Sequence, residues 1–212
     1  MFARLAPYGV IPVLALENPD QGLHVCEALL EGGLPVAEIT FRTTAAADVI
    51  RAVSRQFPAL TVGAGTVLTA ADLQRAMDAG ARFAVAPGCN PTVVRAAVEA
   101  GFPFAPGVCT PSDIERALEL GVRNLKFFPA EAAGGVKMLK ALAAPYAHLK
   151  PSFCPTGGLS PENMAAYLAI PQVPVVGGTW LGPKDALAKG DWKRIAALAA
   201  EAVAIAARTR AG

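Results

Sequence analysis

Two stretches carry charge where apolar residues are expected. In NLKFFPAE (124–131), Lys126 stands among a leucine and two phenylalanines; in AEITFRT (37–43), Glu38 and Arg42 interrupt an apolar run. Such side chains are seldom fully buried without a partner. A lysine in apolar company suits one chemistry in particular. Desolvation disfavours the ammonium, and a neutral amine attacks a ketone carbonyl to form an imine, which then acts as an electron sink. A nearby guanidinium such as Arg42 would push the amine the same way. The competing reading is a buried Lys126–Glu38 ion pair that only satisfies both charges, which is a costly way to fill a core. For an imine on a 2-keto acid, Glu38 suits the base that moves protons on and off C3 and on the attacking water. Arg42 suits a bidentate clamp on the substrate carboxylate. Thr66 and Thr156 offer hydroxyls for substrate groups, with helix N-capping as their alternative use. The remaining lysines, at 137, 140, 150, 184, 189 and 193, read as solvated surface charges.

These residues need elements that bring them together. Short apolar runs recur at 10–16, 37–41, 61–66, 83–87, 102–108, 124–128, 153–157 and 174–179. Each gap between them reads as a helix. Asn18-Pro19, Asn90-Pro91, Thr110-Pro111 and Ser160-Pro161 are helix starts, with Pro at the first helical position. Gly32, Gly80, Gly101 and Gly121 are helix stops. Repeated strand–helix units over 212 residues predict an α/β fold: a (β/α)₈ TIM barrel, as one domain spanning 1–212. A doubly wound open sheet is the alternative, but the first turn, ENPDQG, lacks its GxGxxG signal. Alternation along a strand puts Glu38, Thr40 and Arg42 on one side and Asn124, Lys126 and Phe128 on one side. The opposite sides must meet apolar helices, so the charged sides point into the barrel near its top, where barrel active sites lie. Thr66 and Thr156 end the third and seventh strands. The glycine pairs of PTGG and VGGTW end the seventh and eighth, where barrels often bind phosphate. Gly157, Gly158, Gly178 and Thr179 are the candidates there.

Composition excludes several other classes. The net charge is +2 and the basic residues are scattered, so no basic stripe marks a nucleic-acid surface. No run of 18 apolar residues is present, and none is expected to cross a membrane. The opening MFARLAPYGVIPVLAL reads as a lead into a first core strand rather than a signal peptide. Cys26, Cys89, Cys109 and Cys154 form no CxxC pair, and with His24 and His148 they give no metal-ligand spacing. The cysteines read as small, mostly buried thiols of a protein in a reducing compartment.

EITFRT (38–43), VGAGTVL (62–68), APG (86–88), LKFFPAE (125–131), GGVKMLKAL (134–142), FCPTGG (153–158) and VVGGTWL (175–181) occur in this order. Together they resemble the 2-keto-3-deoxy-6-phosphogluconate (KDPG) aldolase family, also called the KDPG/KHG aldolases, from about residue 8 to 205. The resemblance implies a cytoplasmic, homotrimeric class I aldolase that needs no metal or other cofactor and takes a small keto-acid substrate. It implies cleavage of the 6-phosphogluconate derivative to pyruvate and glyceraldehyde 3-phosphate, and in some members of 4-hydroxy-2-oxoglutarate to pyruvate and glyoxylate. By motif match, Lys126 takes the imine position and Glu38 the acid/base position. Arg42, Thr66, Pro87, Thr156 and Phe128 fall on the pyruvate pocket. Gly157, Gly158, Gly178 and Thr179 fall on the phosphate site. The sequence departs from many relatives in having no basic residue after IPV, where ENPD follows. An aldolase for the galactonate epimer, and a phosphosugar isomerase or synthase that forms no imine, are the alternatives.

Overall fold

A computed structural model of the chain describes residues 1–211. After a short helix α1 (Phe2–Leu5), strands and helices alternate: β1 (Val10–Leu14), α2 (Pro19–Glu31), β2 (Val36–Thr40), α3 (Ala46–Gln56), β3 (Thr61–Gly65), α4 (Ala70–Asp78), β4 (Phe83–Val85), α5 (Pro91–Glu99), β5 (Phe104–Ala105), β6 (Gly107–Val108), α6 (Pro111–Glu119), β7 (Asn124–Phe127), α7 (Gly135–Ala143), β8 (Ser152–Pro155), α8 (Pro161–Leu168), β9 (Val176–Gly178), α9 (Lys184–Lys189) and α10 (Trp192–Ala211). The expected helix starts are the observed ones. Asn18 Oδ1 accepts from Gln21 N–H at 2.9 Å, and Asn90 Oδ1 from Thr92 N–H at 3.0 Å. Thr110 and Asp113 cap each other reciprocally. Each cap satisfies an N–H that the first helical turn leaves without a partner.

The strands are parallel throughout. They form a six-stranded sheet of order β5-β4-β3-β2-β1-β9 and a three-stranded sheet of order β6-β7-β8. The expected fifth strand, 102–108, is thus two pieces. Pro106 has no N–H to donate, so the ladder to β7 starts only after it, although Pro106 O still accepts from Lys126 N–H at 2.8 Å. β5 pairs with β4 on one side of the break and β6 with β7 on the other. A single bridge, Thr156 to Gly177, links the β8 end to β9.

The helix-facing sides of the strands are apolar, as parallel strands covered by helices must be. Leu125 and Phe127 of β7 are fully buried, as is Phe153 of β8; each such side chain contributes about 1.5–3 kcal/mol. This packing leaves Lys126 facing the other way. The polar residues gather at the C-terminal ends of the strands, whereas α1 lies at the opposite end: Phe2 N–H donates to Asn124 Oδ1 at the start of β7.

Candidate active site

Lys126 and Glu38 meet. The ammonium Nζ lies 3.0 Å from Glu38 Oε1 and 3.4 Å from Oε2. The two residues are 6% and 2% exposed, so the pair is shielded from water. β2 delivers Glu38 with Val13 of β1 and Gly63 of β3 as its register partners. β7 delivers Lys126 between Gly107 and Cys154. Phe128 shares the lysine's side, with its ring centroid 6.0 Å from Nζ. The ion-pair geometry considered from sequence is therefore real. It does not exclude the imine reading, because a hydrogen-bonded carboxylate is the group that would take the ammonium proton before attack.

A cavity of about 720 Å³ opens at the same end of the fold. Its walls include Val13, Glu17, Arg42, Thr43, Thr179 and Lys184. Arg42 and Thr179, expected to hold opposite ends of a substrate, thus line one space. Arg42 is exposed and its Nε donates to Thr40 Oγ1 at 3.2 Å; that hydroxyl donates in turn to Leu14 O at 3.0 Å. Thr156 is buried beside the pair, whereas Thr66, Pro87, Gly157 and Phe128 are half-buried, Gly158 is exposed and Gly178 is buried. The capping alternative for the threonines is overturned. α4 is capped by Thr69, which accepts from Asp72 N–H at 3.0 Å, and Ser160 occupies the cap of α8. Thr66 instead adopts a left-handed backbone, with φ of 57°, where the chain turns out of β3. Such a conformation is uncommon for a residue with a β-branch.

A sequence model described as "KDPG and KHG aldolase" matches residues 2–198. The chain belongs to that aldolase family. It is 45% identical over 194 residues to the KHG/KDPG aldolase of Escherichia coli, which covers 92% of this chain and 90% of the relative. The solved structure of the Legionella pneumophila KDPG aldolase, with pyruvate captured as a covalent carbinolamine, superposes with a TM-score of 0.89 at 36% identity, covering 94% of this chain and 97% of that one. The Zymomonas mobilis 2-keto-3-deoxy-6-phosphogluconate aldolase, solved with 3-phosphoglycerate, gives 0.89 at 41% identity, with 96% and 94% covered.

Sequence reasoning missed three features of this aldolase's site. Cys154 is buried, as expected of it, but its place beside the lysine was not foreseen. It is Lys126's register partner, and burial pushes its thiol up to about 12, with Lys126 pulling down and Glu38 pushing up. Below that value the sulfur is neutral and adds no second anion beside the lysine. Alternation alone would have put Cys154 on the face of Thr156. Lys184 is exposed, as expected of a surface charge, and it also lines the mouth cavity, opposite in sign to Glu17 on the same wall.

The third is Gly65. A Cβ there would lie 2.1 Å from Glu38 Oε1. The alternating Gly63 and Gly65 of VGAGT were the available signal, since glycine inside a strand often marks a close approach. Gly65→Ala in this aldolase is expected to push the carboxylate off the amine and lower kcat about 100-fold, the scale of a 1 Å misplacement. Circular dichroism should still show a folded protein. Unchanged kcat in steady-state assays would mean that Glu38 does not need this position.

Proposed function

We propose that the protein is a Schiff-base (class I) aldolase that cleaves 2-keto-3-deoxy-6-phosphogluconate to pyruvate and glyceraldehyde 3-phosphate, and 4-hydroxy-2-oxoglutarate to pyruvate and glyoxylate. The buried Lys126–Glu38 contact at 3.0 Å carries this reading. Glu38 takes a proton from the ammonium, and the free amine attacks C2 of the keto acid. Glu38 gives that proton to the carbinolamine hydroxyl, which leaves as water, so that a protonated imine forms and the carboxylate is regenerated. Glu38 then accepts the C4 hydroxyl proton. The C3–C4 bond breaks, its electron pair moves into the iminium, and the aldehyde departs. Glu38 returns a proton to C3 of the enamine, and water adds to C2 to release pyruvate and Lys126. The imine is the electron sink, so each step is served by side-chain acid–base and covalent chemistry.

Arg42 binds the keto-acid carboxylate in this reading, with Thr66, Pro87, Phe128 and Thr156 forming the rest of the pyruvate pocket. Gly157, Gly158, Gly178 and Thr179 take the distal phosphate. The cavity of about 720 Å³ is lined by Arg42 and Thr179 but not by Lys126 or Glu38, so it suits the approach to the reacting pair rather than the pair's own pocket; its size is within the usual range for a small-molecule site. Arg42 and Lys184 supply cations to it, offsetting the Glu17 carboxylate on the same wall. We further infer that the two sheets close as one eight-stranded barrel in a single domain. Continuity of the chain through Pro106 and the Thr156–Gly177 bridge support this closure. The family resemblance supports a cytoplasmic homotrimer; light scattering should give about three times the 21.8 kDa chain mass.

The test is incubation with pyruvate and borohydride followed by peptide mass spectrometry. The reduced adduct is expected on Lys126. An adduct only on another lysine, or none, would sink the mechanism. Comparing kcat/KM among the gluconate derivative, its galactonate epimer and 4-hydroxy-2-oxoglutarate identifies the preferred substrate; the first is expected to lead.

A further inference from the structure

The loop between β8 and α8 is held from behind by a set of hydrogen bonds that the reaction itself does not use. Gly157 O accepts from Glu131 N–H at 3.0 Å. Gly158 O accepts from Asn163 Nδ2 at 3.0 Å. Asn163 is itself oriented, since its Oδ1 accepts from Ser160 N–H at 2.9 Å. Glu131 is tethered as well: its carboxylate accepts from the hydroxyl of Tyr167, a fully buried residue. Glu131 also packs so closely under the loop that a Cβ on Gly158 would lie 2.7 Å from Glu131 Cβ. In a trans peptide the N–H points away from the C=O of the same plane. Tying back the carbonyls of Gly157 and Gly158 therefore turns the N–H groups of Gly158 and Leu159 to the opposite side. Among the described residues, no protein oxygen accepts from either of those N–H groups. Gly157 and Gly158 have φ of 101° and 80°, which only glycine adopts without strain. Two adjacent, fixed and unpartnered N–H groups form a concave donor surface suited to an anion.

We propose that Asn163 and the Tyr167–Glu131 pair are positioning residues for recognition of the substrate's phosphate. They touch neither substrate nor the reacting atoms. Asn163 sets the Gly158–Leu159 peptide plane, and Tyr167 sets Glu131, whose N–H sets the Gly157–Gly158 plane. The inference rests on the aldolase reading above and names which residues make its phosphate end selective. Without the Asn163 donor, the Gly158–Leu159 peptide is free to rotate and the N–H pair no longer converges.

Asn163→Asp removes the donor but also adds a negative charge near the phosphate, so the uncharged change Tyr167→Phe is read beside it and must move the same constants. Asn163→Asp keeps the oxygen that accepts from Ser160 N–H, so the start of α8 retains its cap, but it replaces the Nδ2 donor with an oxygen. Its expected signature is a KM for 2-keto-3-deoxy-6-phosphogluconate raised roughly 10- to 100-fold, equivalent to one hydrogen bond to a charged group. The inhibition constant of inorganic phosphate should rise in parallel. The kcat, and the rate at which borohydride traps pyruvate on Lys126, should stay within about threefold of wild type, because pyruvate carries no phosphate. Tyr167→Phe, which removes one hydroxyl from a packed ring, should move the same constants in the same direction by a smaller factor. It carries the test alone if Asn163→Asp does not fold. Wild type that traps pyruvate, with folded variants whose phosphate inhibition and KM are unchanged, overturns the proposal. So do variants in which pyruvate trapping falls as far as phosphate binding, because the role is then general scaffolding. Wild type that traps no pyruvate overturns the aldolase reading itself, on which the proposal rests.

Discussion

Lys126→Met is expected to lower kcat/KM for 2-keto-3-deoxy-6-phosphogluconate by at least roughly 10⁴-fold and to abolish the borohydride-trapped pyruvate adduct. Methionine keeps the length and apolar stem of lysine but has no amine, so covalent activation of the ketone is lost outright. No other lysine is a substitute in place: those at 137, 140, 150, 184, 189 and 193 are all exposed and solvated. The variant also leaves Glu38 buried at 2% exposure with its cation gone. Breaking a buried pair from one side costs about 3–5 kcal/mol, so thermal melting should shift down by several degrees. The double variant Lys126→Met/Glu38→Gln should recover much of that stability and none of the activity. This separates loss of chemistry from loss of fold. Turnover within tenfold of wild type in Lys126→Met, or an adduct that survives, would rule out the imine mechanism.

Glu38→Gln is expected to lower kcat by roughly 10²- to 10⁴-fold, the range for a positioned general acid–base group, while still forming the pyruvate adduct, though more slowly. Glutamine keeps the shape and an oxygen within reach of Lys126 Nζ, so the amine stays near its 3.0 Å position. It cannot accept the C4 hydroxyl proton or return one to C3. The two variants therefore fail differently: one loses the covalent intermediate, the other accumulates it. Proton exchange at C3 of pyruvate, followed by NMR in deuterated buffer, should fall in step with turnover. Exchange and turnover both near wild-type rates in Glu38→Gln would assign proton transfer to another group.

Side-chain alternation was enough to predict that Lys126 and Glu38 face the same interior, because the sides opposite them carry Leu125, Phe127 and Ile39. All three of these are fully buried against the helices. Helix starts were equally legible, since an Asn, Thr or Ser before a Pro has a local reason to be there. The strand at 102–108 was harder. Its apolar run is continuous, but Pro106 interrupts the ladder to β7, and only the pairing shows where the missing N–H matters. Thr66 and Thr156 could be assigned to substrate or cap from sequence with similar ease; the structure assigns the caps to Thr69 and Ser160. Cys154 was overlooked because a lone thiol has no distinctive spacing, although its position two residues before Thr156 puts both on one face.

The sequence by itself determined the chemistry available: one lysine in an apolar strand, one carboxylate and one guanidinium on another, and glycine pairs at two late strand ends. It also determined the local elements that carry them, because hydrophobic period and capping residues act over a few positions. Only the tertiary structure decided that Lys126 and Glu38, 88 residues apart, stand in hydrogen-bond contact. It alone showed that Gly65 makes room for the carboxylate and that Asn163 and Glu131 donate to the carbonyls of the Gly157–Gly158 loop. Those relations depend on the register of strands that are distant in sequence and on the curvature of the sheets they form. Both are set by packing of the whole chain, and no short window of residues contains them.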